Sequence, residues 1–366
     1  MKPVIIGCRT DNFTPEQLEA FKKHQPFGMV IFNEPFAKGK DAVRHVIKQL
    51  RSVCPHAKVF IDAEGGKVNR LKPEYGHGWR DVPSARSFAD LAVKDLEAAK
   101  AAIYANARQI AQDLVELGID VNCAPVVDLV KADVIANKDN EGKPHATSAS
   151  LFNRSFGDDP YIVTECARAF VEGMESMGVT AIVKHVPGYG RVSADPHYAH
   201  DGIATTLTEL QRSDFVPFRN LKETRAMMTA HVVYTDIDPD RCATISPKCI
   251  DVIRTIIGFE GVLVADTIEM NAIWPEGFSK TARDQFGMGL PLPGTLAKIT
   301  KEALGAGVDL IMHSDCSRDF SHTLEVLEAA PVLDAAKAKW LLDSMTVGSM
   351  PANVVPPRPR DNGPRR

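Results

Sequence analysis

The stretch Gly261-Val262-Leu263-Val264-Ala265-Asp266 decides how the chain is read, because it is a short apolar run that ends on a carboxylate. The same kind of run recurs outward from it. Val4-Ile5-Ile6, Met29-Val30-Ile31-Phe32, Val59-Phe60-Ile61, Val121-Asn122-Cys123, Ala181-Ile182-Val183, Met227-Met228-Thr229-Ala230 and Leu310-Ile311-Met312 bring the number of candidate strands to eight. Apolar strands that do not alternate with polar residues, separated by helical patterns, indicate a parallel sheet covered by helices. Eight such repeats predict an α/β fold closed as a single (β/α)8 TIM-type barrel.

The intervening segments carry helix signals. Thr14-Pro15-Glu16-Gln17 places Thr14 at the N-cap, Pro15 at the first helical position and Gln17 at the third position of a capping box. From Leu96 to Leu117, the spacing of Ala98, Ala102, Tyr104, Ala105, Ile110, Leu114 and Leu117 predicts a long helix with these residues on its buried face. The barrel is expected over 1–349. The Pro/Arg-rich remainder, 350–366, has no apolar periodicity and reads as a disordered or surface-hugging extension.

Composition removes several function classes. The 366 residues carry 43 Lys+Arg against 47 Asp+Glu, a net charge of −4, so no basic excess exists to neutralise nucleic acid or an anionic membrane. The apolar run near the start is too short for a signal-peptide core, and no stretch approaches the ~18 apolar residues of a membrane span. A cytoplasmic monomer is the expectation. Seven scattered cysteines, an odd number without a C-x-x-C pair, read as reduced thiols rather than as a disulfide framework or a zinc site. Neither a G-x-x-x-x-G-K-[ST] loop nor a G-x-G-x-x-G after a strand is present, which disfavours nucleotides, and no metal or organic cofactor is expected.

Asp62, Asp128, His185, His231, Asp266 and His313 each sit at or just beyond the carboxyl end of an apolar run, the face that carries chemistry in barrels. A strand would deliver Asp266 rigidly to that mouth, as a nucleophile requires. The segment from Lys184 and His185 through Gly188, Gly190 and Pro196 cannot continue a regular element and reads as a lid. Within it Asp195 and His197 are two apart, so the carboxylate can orient the imidazole as an acid/base. Asp62 to Arg70 encloses Gly65 and Gly66, letting backbone approach a ligand between an acid and a base. Such a mixture of donors and acceptors suits a polyhydroxylated small molecule.

Five stretches taken together resemble the single-domain β-N-acetylhexosaminidases of glycoside hydrolase family 3, bacterial enzymes of peptidoglycan recycling. They are Asp62 to Leu71, Asn122 to Asp128, Asn153-Arg154-Ser-Phe-Gly157, Lys184 to His197, and Gly261 to Asp266, and the resemblance spans roughly residues 1–345. It implies that Asp266 is the nucleophile of a retaining, exo-acting hydrolase and that Asp195 and His197 form an acid/base dyad. It further implies that Asp62, Arg70, Arg154, Lys184 and His185 bind the hydroxyls of N-acetylglucosamine, with Asp128 in the same pocket.

The lid departs from the family pattern, with Tyr189 for a usual His, Arg191-Val192 for Asp-Thr, and Pro196 between the dyad members; Ala63 and Thr267 also differ. These changes bear on lid closure and aglycone preference. Three other readings stay open at this point: phosphorolysis or a β-glucosidase activity on the same fold, and a sugar-binding protein that has lost turnover. A neutral imidazole repels incoming phosphate less than a carboxylate would, which keeps phosphorolysis in view.

Overall fold

A computed structural model describes residues 1–130, 151–192, 202–283, 289–315, 318–348 and 358–359. All eight apolar runs lie within or against strands: β1 (Lys2–Cys8), β2 (Pro26–Ile31), β3 (Lys58–Ile61), β4 (Val121–Asn122), β5 (Thr180–Val186), β6 (Ala226–Thr229), β7 (Val262–Val264) and β8 (Ile311–His313). Each pairs in parallel with its sequence neighbour, and β1 also pairs with β8. A parallel bridge from Val264 to Leu310 joins β7 to the start of β8 and closes the ring. The expected (β/α)8 barrel is therefore the fold.

Alternation along the strands divides the core in two. Ile5, Val30, Phe60, Val121, Ile182, Met228 and Met312 fill the barrel interior. Their chain neighbours Val4, Ile6, Met29, Ile31, Val59, Ile61, Val183 and Met227 pack outward under the helices. Strands buried on both faces have no polar side to show, which is why the runs lack polar alternation. Trp340 and Leu341 of the Ala335–Ser344 helix join the interior cluster, covering the amino ends of the strands. Chemistry is left to the carboxyl ends.

The helix from Pro15 to His24 begins with the expected capping box: Gln17 N–H donates to Thr14 Oγ1 at 3.2 Å, and Thr14 N–H to Gln17 Oε1 at 2.9 Å. The Leu96–Leu117 helix has its expected bounds but a corrected face. Its buried stripe is Ala99, Ile103, Ala107, Ile110, Ala111, Leu114 and Leu117, whereas Ala98 and Ala105 are exposed. Seven alanines of equal hydrophobicity do not mark a face; the large residues Ile103, Ile110, Leu114 and Leu117 do.

Of the tail, only 358–359 fall within the described residues, and Arg358 reaches the barrel's amino end. Its Nη2 lies 3.1 Å from Asp309 Oδ1, a fully buried carboxylate that also holds Arg254 at 2.9 Å and Lys337 at 2.5 Å. The six described cysteines are buried free thiols. No helix among the described residues is long and apolar enough to cross a membrane.

Candidate active site

The turn after β3 builds the first wall of the mouth. Asn122 of β4 exchanges two hydrogen bonds with the backbone of Ala63, at 3.0 and 2.9 Å, fixing the start of a two-stranded ribbon, Ala63–Gly65 with Val68–Asn69. Gly65 (φ 97°) makes the turn, and a Cβ there would stand 2.1 Å from the Pro83 carbonyl oxygen. No other residue type fits that approach. The ribbon returns Arg70 onto Asp62, Nη2 to Oδ2 at 2.6 Å.

From that pair runs a chain of alternating charge. Lys184, at the end of β5, donates to Asp62 Oδ1 at 3.3 Å and to Glu64 Oε1 at 2.6 Å. Glu64 in turn receives Arg154 through a two-pronged contact, Nε to Oε2 at 2.8 Å and Nη2 to Oε1 at 2.9 Å. Burial alone would raise the carboxyls of Asp62 and Glu64. The cations outweigh it, holding Asp62 far below the carboxylate range and Glu64 at about 2. Burial likewise opposes the charge on Lys184, but Glu64 and Asp62 keep it an ammonium. Three cations and two anions thus stand fixed at one side of the mouth.

Asp128 reaches the mouth through His185 rather than with a free oxygen. It is fully buried; Oδ2 lies 2.8 Å from His185 Nδ1, and Oδ1 accepts from the Tyr189 N–H at 2.9 Å. Desolvation drives the two groups toward neutrality, pushing Asp128 up to about 7 and His185 well below its ordinary value. An Nδ1–H donated to Asp128 leaves His185 Nε2 as an acceptor, and this atom lies 4.0 Å from Asp266 Oδ2. The Tyr189 ring packs against the imidazole with centroids 4.5 Å apart. Tyr189, unusual for the lid, therefore has a place in holding His185.

Asp266 stands two residues beyond β7 and is partly open, its side chain 22% exposed. Its Oδ1 accepts the Thr267 N–H at 2.7 Å, which fixes the carboxylate and leaves Oδ2 toward His185. The neighbouring backbone is held from two sides. His231 Nε2 donates to the Thr267 carbonyl at 2.9 Å, and Glu269 accepts from Ser314 N–H and Oγ on the β8 side. His231 and His313 are buried and engaged in this scaffolding.

The structure brings together Asp62, Arg70, Asp128, Arg154, Lys184, His185 and Asp266. Asp195 and His197 lie outside the described residues. Sequence reasoning passed over Glu64, which lies within the Asp62 to Arg70 segment. The signal available was electrostatic: Arg154 and Lys184, placed at one mouth, require a counter-charge near both. Among the described residues, no group of three His, Cys, Asp or Glu side chains converges as a metal site.

Comparison with known proteins gives the family and the fold. The profile of the Glycosyl hydrolase family 3 N terminal domain matches residues 10–337. A β-hexosaminidase of Stenotrophomonas maltophilia is 31% identical over 273 residues, 74% of this chain and 75% of the relative. One from Xylella fastidiosa is 30% identical over 274 residues, 74% of this chain and 76% of its own. Native NagZ from Neisseria gonorrhoeae superimposes with a TM-score of 0.77 at 24% identity, covering 94% of this chain and 90% of that one, a likeness of fold.

Proposed function

The chain belongs to glycosyl hydrolase family 3 and is a glycoside hydrolase, and from that premise we propose that it is an exo-acting, retaining β-N-acetylhexosaminidase. It removes terminal β-linked N-acetylglucosamine, with peptidoglycan fragments as the natural source. The curated relatives, named β-hexosaminidases, support the sugar class. The observation that carries the reading is the meeting of Asp266 Oδ2 and His185 Nε2 at 4.0 Å beside the five-membered charge array. That gap is too long for a direct hydrogen bond and short enough for one sugar hydroxyl to bridge.

Asp62, Arg70, Arg154, Lys184 and His185 hold the sugar's hydroxyls, and Asp128 keeps His185 in the tautomer that accepts. Asp266 then attacks the anomeric carbon, forming a glycosyl ester as the bond to the leaving oxygen breaks. His197, oriented by Asp195, gives its proton to that oxygen. In the second half, His197 takes a proton from water, whose oxygen displaces Asp266 from the sugar. No cofactor enters these steps, and every group comes from one chain.

Steady-state hydrolysis of aryl β-glycosides of N-acetylglucosamine, glucose and xylose tests the reading. The N-acetylglucosaminide is turned over fastest, and added phosphate leaves the product as free sugar. A preference for glucose or xylose, or a sugar 1-phosphate product, would contradict it.

A further inference from the structure

Where β1 meets β8, a cavity of about 270 Å³ opens at the same end of the barrel as Asp266. It lies between the barrel wall and two helices, Pro15–His24 and Phe320–Ala329. None of the charged residues assigned above to the sugar lines it. Its floor is aromatic: Phe21 packs edge-on against both Phe13 and Phe320, at centroid distances of 5.2 and 6.0 Å. Its polar wall is Arg9, Asp315 and Arg318.

One carboxylate oxygen of the lining, Asp315 Oδ1, is buried with no hydrogen-bond partner among the described residues. A buried acceptor left in that state is costly, so it calls for a donor. Charge narrows what the donor can be. Arg318 lies 2.6 Å and Arg9 3.8 Å from Glu34 Oε1, so two guanidiniums offset two carboxylates and the seam favours neither anion nor cation. Asp315 and Arg318 also both hold left-handed backbone, φ 52° and 58°, which is uncommon for residues other than glycine. A neutral ring with several hydroxyls and an apolar face satisfies that acceptor and lies against the phenylalanines.

We propose that this seam is a second saccharide site, separate from the Asp266 mouth, in which Asp315 accepts hydroxyls of a neutral sugar ring. It is one aromatic ring away from the first: the Phe32 centroid lies 3.7 Å from the Arg9 guanidinium and 5.2 Å from that of Arg70. Burial raises the Asp315 carboxyl to about 6.

The full-length protein is titrated with N-acetylglucosamine and read by ligand-observed NMR, while inhibition of aryl-glycoside turnover by the same sugar is followed in parallel. Two binding events are expected, only one of which tracks inhibition. Asp315→Gly, which suits the left-handed backbone and deletes the acceptor, weakens the other event about tenfold, the loss of one charge-assisted hydrogen bond, and leaves the inhibition constant within about twofold. Arg318→Asn, at a half-exposed side chain, weakens the same event and guards against a misfolded first variant. A single event that tracks inhibition, or a second event unchanged in both variants, overturns the proposal. So does displacement of the sugar from the seam by inorganic phosphate. Because the NMR titration needs no turnover, failure of the hydrolase reading would leave this result standing on its own.

Discussion

Replacing Glu64 by Gln keeps the shape of the side chain and removes its charge. In the wild type this carboxylate receives three contacts, at 2.6, 2.8 and 2.9 Å, with its side chain only 5% exposed. The substitution leaves Asp62 as the one acid in contact with Arg70 and Lys184, strips Arg154 of its carboxylate partner, and turns an amide N–H₂ toward cations that can only donate. Breaking one partner out of a buried ion pair costs about 3–5 kcal/mol, and the remaining exposure of Arg154, 16%, argues for the lower end. For a chain of this size that lowers Tm by about 4 °C. Lys184 and Arg154 also lose the group that aims them, and a misplacement near 1 Å costs about 10²-fold in kcat/KM. Aryl N-acetylglucosaminide kinetics measures the second effect and calorimetry the first.

The pH dependence adds a check. Glu64 is held at about 2 against an ordinary 4.5, so its stabilisation is complete above the unfolded value and is lost as pH falls through the folded one. The Tm gap between wild type and Glu64→Gln is therefore flat from about pH 6 to 8 and narrows in acid. A folded variant with kcat/KM within about threefold of wild type would refute the positioning role, since so small a loss is below one hydrogen bond.

Asp128→Asn tests the opposite sign. Burial raises Asp128 from 3.8 to about 7, so the folded state binds a proton that the unfolded state releases, and this group's contribution to stability falls as pH rises between those values. The Asn variant lacks that slope, which thermal unfolding across this range would show, and it loses about tenfold or more in kcat because His185 is no longer aimed. At the other end of the barrel, Asp309→Ala strands Arg254 and Lys337, whose side chains are 12% and 14% exposed. It lowers stability by about 3–5 kcal/mol in chemical denaturation, with kcat/KM of the folded protein unchanged.

The barrel was legible because its strands are buried on both sides and so appear as unbroken apolar runs. Thr14 and Gln17 were legible because a capping box is local. The same holds for the strand-end residues, whose positions follow from the strands themselves. Glu64 was not, since its partner Arg154 is 90 residues away and only the closed barrel juxtaposes them. Asp128 could be placed near the mouth, yet its engagement by His185 and Tyr189 depends on how the segment after β5 folds back over it. The face of the Leu96–Leu117 helix was misjudged in its first half, where alanines outnumber the large residues that would have marked it. Arg358 lies in a Pro/Arg tail without periodicity, and its contact with Asp309 has no sequence signature.

The covalent role of Asp266 is the centre of this account, and trapping the intermediate tests it most directly. The protein is mixed with a fast aryl β-N-acetylglucosaminide, quenched in acid during the first turnover, digested, and analysed by mass spectrometry. An N-acetylglucosaminyl ester on the peptide containing Asp266, absent from Asp266→Asn, is the predicted result. Steady turnover by Asp266→Asn within about tenfold of wild type, a barrier change of only ~1.4 kcal/mol, or an adduct on any other residue, would contradict it.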